Sequence, residues 1–420
     1  MRLLILGLNY APERVGIAVY TTGMAEGLAA EGHEVLVIAG QPYYPAWRIV
    51  DGHRAWSFST AEENGVAVTR VPHYIPAHPT GSRRLLHHAS FAAAALFPAL
   101  WSGLAWRPDV VLTVAPSLIA APVARLAALV AGARSWLHIQ DLEVEAAFAT
   151  GLIAERSALG RLARGFETLV LRSFEQVSAI SPEMCRRLTE KGVPRERVTE
   201  LRNWADTEAI RPMTAPSPYR EEWGIETEHV ALYSGNIANK QGIDIVLDAA
   251  RLLRHRDDLT FVICGEGPER GRLEAKAQGL DNVRLRNLQP KQRLNELMGL
   301  ATIHILPQVA GAADLMLPSK LTNMLASGRP VVATAAAGTG LAREVERCGA
   351  VVAPEDTGAF ADGIVELMED RELYAACAAA ARRRAEERWA KDLVLGSLAA
   401  MLREAGAVPA GSGTSVEQEI

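Results

Sequence analysis

Two lysines stand out by where they are placed. Lys240 follows Ser234-Gly235-Asn236-Ile237-Ala238-Asn239 and precedes Gln241-Gly242 and a helical stretch from about Ile243. Lys320 follows Pro318-Ser319 and opens Lys320-Leu-Thr-Asn-Met-Leu-Ala-Ser-Gly-Arg-Pro-Val-Val-Ala333. This second stretch reads as loop, helix, turn and strand. Pro318 suits a first helical turn, Gly328 a left-handed C-terminus and Pro330 a stop. A loop that runs into a helix presents unpaired N–H groups and a partial positive charge. With an ammonium group added, it is a seat for a diphosphate. Gly265-Glu266-Gly267-Pro268 forms a third tight turn before a helix. One Gly-rich turn is weak evidence. Three in one series, two with a lysine, point to a nucleotide diphosphate. The plain alternative is an ordinary loop–helix–strand unit.

Three stretches of the first half carry further candidates. Asn9-Tyr10-Ala11-Pro12-Glu13-Arg14-Val15-Gly16-Ile17 places Gly16 before a helix, where a ligand can approach the backbone. Gln41-Pro42-Tyr43-Tyr44-Pro45-Ala46-Trp47-Arg48 is an aromatic, proline-rich loop of the kind that lines sugar or lipid sites, or that packs under a loop. His138-Ile139-Gln140-Asp141 sets a histidine near a carboxylate, suited to acid–base or electrostatic work, or to a hydrogen-bonded core position.

The elements that must position these residues are parallel βαβ units. Arg2–Leu8 is a strand, Ile17–Ala30 an amphipathic helix and Glu34–Ala39 the next strand. Val66–Val71, Asp109–Val114, Ser135–Ile139 and Val177–Ile180 continue the series, and continuous apolarity fits strands buried on both faces. Ile210–Glu228 reads as a linker; strands then restart at Val230–Tyr233, Leu259–Cys264, Asn282–Leu288 and Ala301–Leu306. A chain of 420 residues, 49% hydrophobic and 22% charged, fits two α/β domains. Ligands of doubly wound sheets bind at the carboxyl ends of the strands, where all these loops fall.

The net charge of −5 argues against nucleic-acid binding. The four cysteines show no metal-type spacing, which suits a reduced, cytosolic setting. The apolar start, Leu3–Leu6, is too short for a signal peptide, and residues 407–420 read as a disordered tail. Ala89–Trp106 has no charged residue, with Arg83 and Arg84 just before it. Pro98 and Gly103 interrupt it, and a span here would split a sheet across the bilayer. It reads as a buried or membrane-surface helix.

The motifs resemble those of the GT-B glycosyltransferases of family 4, in the bacterial colanic-acid and O-antigen type. The likeness rests on the Asn9–Ile17 loop, Tyr43-Tyr44-Pro45, His138–Asp141, Gly235-Asn236 with Lys240-Gln241-Gly242, Gly265–Gly267 and Pro318-Ser319-Lys320, in that order. It implies an α/β GT-B fold, two doubly wound Rossmann-like domains facing a cleft. Residues 1–205 would bind the acceptor and 206–387 the nucleotide sugar, with a helix at about 388–406, including Trp389, crossing back to the first domain. It implies transfer of a hexosyl or deoxyhexosyl unit, with retention, from a nucleotide-diphosphate sugar to a lipid-linked saccharide at the inner face of the membrane. No cofactor and no metal are implied.

By the same likeness His138, Asp314, Lys240 and Lys320 are catalytic. Gly235, Asn236, Gly265, Glu266, Gly267, Pro318, Ser319 and Thr322 bind the donor, and Asn9, Gly16, Tyr43, Tyr44 and Asp141 the acceptor. The family usually has two glutamates with seven residues between them, the first at the donor sugar and the second at the ribose. Here Asp314 and Thr322 stand in those places, and Asn236 stands where many members have Arg. The other readings open at this point are a sugar-nucleotide epimerase or hydrolase of the same plan, and a non-catalytic sugar-nucleotide-binding subunit.

Overall fold

The computed structural model describes residues 1–13, 16–149, 153–238, 241–310 and 318–407. The chain divides into two compact units: Met1–Arg202 with the chain from Leu395, and Asn203–Val394.

The first unit begins with β1 (Arg2–Gly7), α1 (Ile17–Ala30), β2 (Glu34–Gly40), β3 (Ser59–Glu63) and β4 (Val66–Val71). It continues through α2 (Gly81–Ala105), β5 (Val110–Ala115), α3 (Ala121–Ala131) and β6 (Arg134–Ile139). It closes with α4 (Glu143–Ala149), α5 (Ala158–Ser173), β7 (Gln176–Ala179), α6 (Pro182–Glu190) and β8 (Val198–Glu200). The eight strands lie in the order β3-β4-β2-β1-β5-β6-β7-β8, and only β3 is antiparallel to its neighbour. Leu4 pairs with Leu36 on one side and Val111 on the other, so the chain leaves β1 in one direction and returns at β5 in the other. That reversal opens a crevice at the carboxyl ends of β1 and β5.

The second unit contains α7 (Tyr219–Trp223), β9 (His229–Ser234), α8 (Asp244–Leu252), β10 (Leu259–Cys264) and α9 (Arg270–Ala277). There follow β11 (Val283–Arg286), α10 (Leu294–Leu300), β12 (Ile303–Leu306), α11 (Lys320–Ala326) and β13 (Val331–Thr334). Then come α12 (Gly340–Val345), β14 (Gly349–Val352), α13 (Thr357–Glu369) and α14 (Arg371–Trp389); α15 (Lys391–Ala407) starts in this unit and from Leu395 on belongs to the first. Its six strands are all parallel, in the order β11-β10-β9-β12-β13-β14, with the reversal between β9 and β12. Gly328 has φ +64 and ends the helix before β13, the backbone that a glycine there permits.

Several expectations are corrected. β3 (Ser-Thr-Ala-Glu-Glu) is a polar, exposed edge strand with no apolar signal, and β8 and β14 are only 3 and 4 residues long. The Ile210–Glu228 stretch is no bare linker: Tyr219 is buried in the second unit's core, with Trp223 packed against it. Trp389 also belongs to that core, and its carbonyl accepts from the Ala205 N–H at 2.7 Å. The return to the first unit therefore comes at Leu395, later than expected. The apolar helix α2 begins at Gly81 and keeps Pro98 inside it. By length and composition it could cross a membrane, yet Phe91, Ala92, Ala95 and Ala99 pack into the core of the first unit with α3. Gly103 allows this close approach, since a side chain there would stand 2.9 Å from the Ala127 carbonyl oxygen. The tail, from residue 408 on, lies outside the described residues.

Candidate active site

In the second unit, the loops after β9 and β10 are joined backbone to backbone. The Gly235 N–H donates to the Cys264 carbonyl at 3.0 Å, and the Ile237 N–H to that of Glu266 at 2.8 Å. A side chain at Gly265 would collide with the Gly235 carbonyl oxygen, and one at Gly267 with that of Ile237. These two glycines, expected at the donor, are thus accounted for by loop-on-loop contact. The side chains of Asn236 and Glu266 remain exposed on the paired loops.

Lys320 opens α11 and reaches this pair of loops. Its Nζ donates to the Tyr233 hydroxyl at 2.8 Å and lies 4.2 Å from the centre of the Tyr233 ring. A Cβ on Gly235 would stand 3.0 Å from Nζ, so glycine leaves room for the ammonium group. The Tyr233 hydroxyl in turn donates to the Asn236 carbonyl at 2.6 Å. Burial pushes the phenol's pKa up, so it keeps the proton this bond needs. Tyr233 was not singled out from sequence, although it stands directly before Ser234-Gly235 at a strand end.

α11 spans only seven residues, so its dipole is short and the local positive charge rests mainly on Lys320. Pro318 precedes the helix and accepts the Leu321 N–H at 3.0 Å; the helix begins two residues later than expected. Ser319 is exposed at the helix entrance and makes no side-chain cap. Thr322, assigned to the donor, is turned inward. It is buried and its hydroxyl donates back to the Ser319 carbonyl at 2.9 Å. Lys240 and Asp314 lie outside the described residues.

A cleft of about 260 Å³ in this unit is lined by Ile237, Gly242, Asp244, Asp248, Glu269 and Glu355, among others. Among its described lining residues Arg272 is engaged by Asp244 and Glu269.

In the first unit, the loops after β1 and β2 are tied together by a residue that sequence reasoning passed over. Glu13 is buried, and its Oε1 accepts the N–H groups of both Tyr43 and Tyr44 at 2.8 Å. Its Oε2 accepts from Asn9 Nδ2 at 2.9 Å, and the same amide lies 3.4 Å from the Tyr43 hydroxyl. Burial raises the Glu13 pKa against the pull of these donors. Arg70, also buried, fixes the loop from the other side by donating to the Ala11 carbonyl at 2.5 Å and pairing with Glu63 at 2.9 Å. Tyr43 is buried while Tyr44 is partly exposed. Gly16 is exposed with φ +63, and a Cβ there would meet Tyr44 at 3.6 Å. Asn9, Gly16, Tyr43 and Tyr44 are therefore brought together. A glutamate within a loop of Asn, Tyr and Pro was the available signal.

His138 lies inside the sheet, 1% exposed, as the hydrogen-bonded core alternative has it. Ser178 Oγ accepts from Trp136 Nε1 at 2.8 Å and lies 2.9 Å from His138 Nδ1. The Gln140 amide nitrogen lies 3.0 Å from Nε2. If Gln140 donates, Nε2 is the acceptor and Nδ1 carries the proton. Burial lowers the pKa to about 3, so the ring is neutral. Asp141, two residues beyond the end of β6, is half-buried near Glu143. Glu143 itself accepts the Leu118 N–H at 2.7 Å and so fixes the turn after β5.

Two parallel α/β units with ligand loops at the strand ends are the plan of a GT-B glycosyltransferase. The first unit matches a glycosyl transferase 4-like domain over residues 15–204, and the second matches glycosyl transferases group 1 over residues 228–370. The chain is 40% identical to the Escherichia coli (strain K12) glycosyl transferase WcaI, named for colanic acid biosynthesis, over 88% of this chain and 92% of that one. The chain belongs to this glycosyltransferase family. It is 24% identical, over 96% of its length and 98% of the relative's, to a GDP-mannose-dependent phosphatidylinositol monomannoside mannosyltransferase of Mycobacterium tuberculosis. Among solved structures, Anabaena HepE in complex with UDP-glucose superposes with TM-score 0.64 at 17% identity, covering 96% of this chain and 99% of that one. Among the described residues no group of His, Cys, Asp or Glu is arranged to hold a metal ion.

Proposed function

We propose that the enzyme transfers a sugar from a nucleotide-diphosphate donor, with retention, to a lipid-linked saccharide in the synthesis of a bacterial exopolysaccharide or O-antigen. The observation that carries this reading is the Lys320 ammonium held by Tyr233 against Gly235, at the carboxyl end of β9. An exposed turn with a fixed cation suits a leaving diphosphate, whose negative charge grows as the glycosidic bond breaks. The diphosphate departs from the face on which the acceptor hydroxyl arrives, with Lys320 and Lys240 supplying the charge and no metal taking part. HepE's title records UDP-glucose, which supports a nucleotide-sugar donor. The mycobacterial relative's name records a phosphatidylinositol acceptor, which supports a lipid-linked one.

The Glu13 network then shapes the acceptor loops, with Tyr44 and Asn9 nearest the sugar. The protein works from the cytoplasmic side, peripheral on the inner membrane, with α2 toward the bilayer. Phe97 and Trp101 on α2 are 75% and 62% exposed and stacked on each other, and Arg83 and Arg84 are exposed at its start. The test is a panel of nucleotide sugars with and without a lipid-linked saccharide extract, read by product mass and by NMR at the anomeric carbon. Acceptor-dependent transfer with retained configuration is expected. Turnover that needs no acceptor, or an inverted product, would overturn the reading.

A further inference from the structure

α2 is not alone in showing apolar side chains to solvent. α2 packs on α3, and α3 on α5, so the three form one helix layer of the first unit. Leu126 and Leu129 of α3 are 46% and 58% exposed, and Leu162 and Leu169 of α5 are 69% and 70% exposed. Leu159, Leu162 and Leu169 fall on one stripe of α5 at helical spacing, while Gly160, Val170 and Leu171 face the core.

The charge carried by these three helices is mostly of one sign, although Arg164 of α5 pairs at 3.0 Å with the exposed Glu155 just before that helix. α2, α3 and α5 contain six arginines (Arg83, Arg84, Arg125, Arg161, Arg164 and Arg172) and one acid, Glu167. Glu167 is buried and bonded to Lys191 at 2.6 Å, so it presents no negative charge outward. The chain as a whole is net negative, at −5. A basic, apolar layer on an acidic protein complements a surface that is both anionic and oily. Scattered exposed leucines need no explanation, but a run across three adjacent helices does.

We propose that α3 and α5 form a second membrane-contact patch beside α2, and that the whole layer seats on an anionic bilayer. The proposal rests on the membrane reading above and extends it. One helix alone would leave the unit free to pivot about its axis. Contact through α5 as well fixes its tilt, and with it the height of the acceptor loops over the lipid. Leucines enter the headgroup boundary while the arginines meet lipid phosphate.

Flotation of the full-length protein with vesicles of equal parts phosphatidylglycerol and phosphatidylcholine tests this. Wild type should float at low salt and less at high salt. Leu162→Glu/Leu169→Glu should weaken binding about tenfold, from lost apolar burial. Arg161→Glu/Arg164→Glu should weaken it at least about fivefold on anionic vesicles only. Leu252→Glu, on an exposed leucine of the second unit, should change nothing. Circular dichroism melts confirm that each variant folds. If the α5 variants float like wild type while Phe97→Glu/Trp101→Glu does not, the second patch is wrong and the α2 reading stands. If wild type does not float, both fall. If it instead sediments as a dimer that the α5 variants split, the occupant is a second copy of this chain and the proposal is overturned.

Discussion

The first unit exposes Phe97, Trp101, Leu129 and Leu162 on its helices; the second dresses its own with ion pairs. Arg254–Asp281, Arg256–Glu369, Arg272–Asp244 and Arg293–Glu222 are four of the latter. Of the large apolar side chains that are exposed among the described residues, fifteen belong to the first unit and three to the second. The sheets beneath are alike: parallel but for β3 at one edge of the first, doubly wound and reversed near the middle. What separates the units is therefore written on the outer faces of the helices. Exposed ion pairs add little stability, but they keep a face wet. In the first unit such pairs occur at α6 and at the start of α5, while α2 and α3 contain no acid and α5 only the buried Glu167, so this part of the surface is freer to leave water.

The active-site loops differ in the same way. In the second unit the turns after β9 and β10 are zipped by backbone bonds, with a lysine laid over them. In the first they are longer, aromatic and held by one buried carboxylate. A rigid turn with a fixed charge suits a diphosphate, whose shape is constant. A loop whose shape depends on side chains suits an acceptor that varies from one relative to another.

The largest effect should come from the second unit. Lys320→Ala removes a cation where charge develops, and kcat should fall on the order of 100- to 1,000-fold. Tyr233→Phe keeps the ring but loses the hydroxyl and should cost less. Steady-state kinetics over a range of donor concentrations measures both. Near-normal kcat in Lys320→Ala would remove the donor assignment and with it the contrast between the two sets of loops.

Next comes acid sensitivity, which should divide the units. Burial lowers His73 and His138 to about 3 and His88 to about 4, all in the first unit; the second has His304 at about 3. A lowered histidine pKa means that the unfolded chain takes up protons that the folded one refuses. Its contribution is full above the unfolded value near 6.5 and declines as pH falls toward the folded value. Each such histidine should cost roughly 1 kcal/mol at pH 5.5. Glu13, Glu143 and Glu167 are raised by burial and act with the opposite sign, offsetting part of the loss as they protonate. Hydrogen exchange read by mass spectrometry should show the first unit opening before the second between pH 7 and 5.5. His73→Leu should flatten that dependence; an unchanged slope would show that His73 is not its source.

A smaller effect is expected in the acceptor loops. Glu13→Ala leaves two buried N–H groups without their acceptor, and KM for the acceptor should rise about tenfold, with donor KM unchanged. Glu13→Gln keeps an oxygen for Tyr43 and Tyr44 and should recover most of the loss. Equal changes in both KM values would point to general loosening of the first unit rather than to loop placement.

Much of this architecture was legible in the chain. Leu259–Cys264 and Ile17–Ala30 have the bounds read from the chain, because a buried parallel strand leaves a continuous apolar run and the helix is bracketed by Gly16 and Gly32. β3 left none, since an edge strand of Ser, Thr and Glu needs no apolar face. The lysine loop was visible at Pro318-Ser319-Lys320, but its partner Tyr233 was not: that contact joins residues 87 positions apart. His138 left two readings open. Its neighbours Gln140 and Asp141 suggested chemistry, while the residue that occupies its Nδ1, Ser178, lies on another strand. Sequence carries period and local turns; it does not carry which polar groups meet across a sheet.

The smallest effect concerns Thr322, and it bears on how the second unit holds its donor. By the family resemblance, a glutamate at this position would be the one expected at the ribose. Threonine is shorter, and here its hydroxyl is already committed to the Ser319 carbonyl in the preceding turn. Thr322→Val keeps the shape and removes that bond. Because Ser319 is exposed, water replaces the lost donor, and stability should fall by less than about 1 kcal/mol. Donor KM should stay within about twofold, the size of change that no lost bond explains. A rise of tenfold or more would mean that the hydroxyl turns outward when the nucleotide binds, and that Thr322 reads the donor after all. Isothermal titration with the free nucleoside diphosphate separates the two outcomes without relying on turnover.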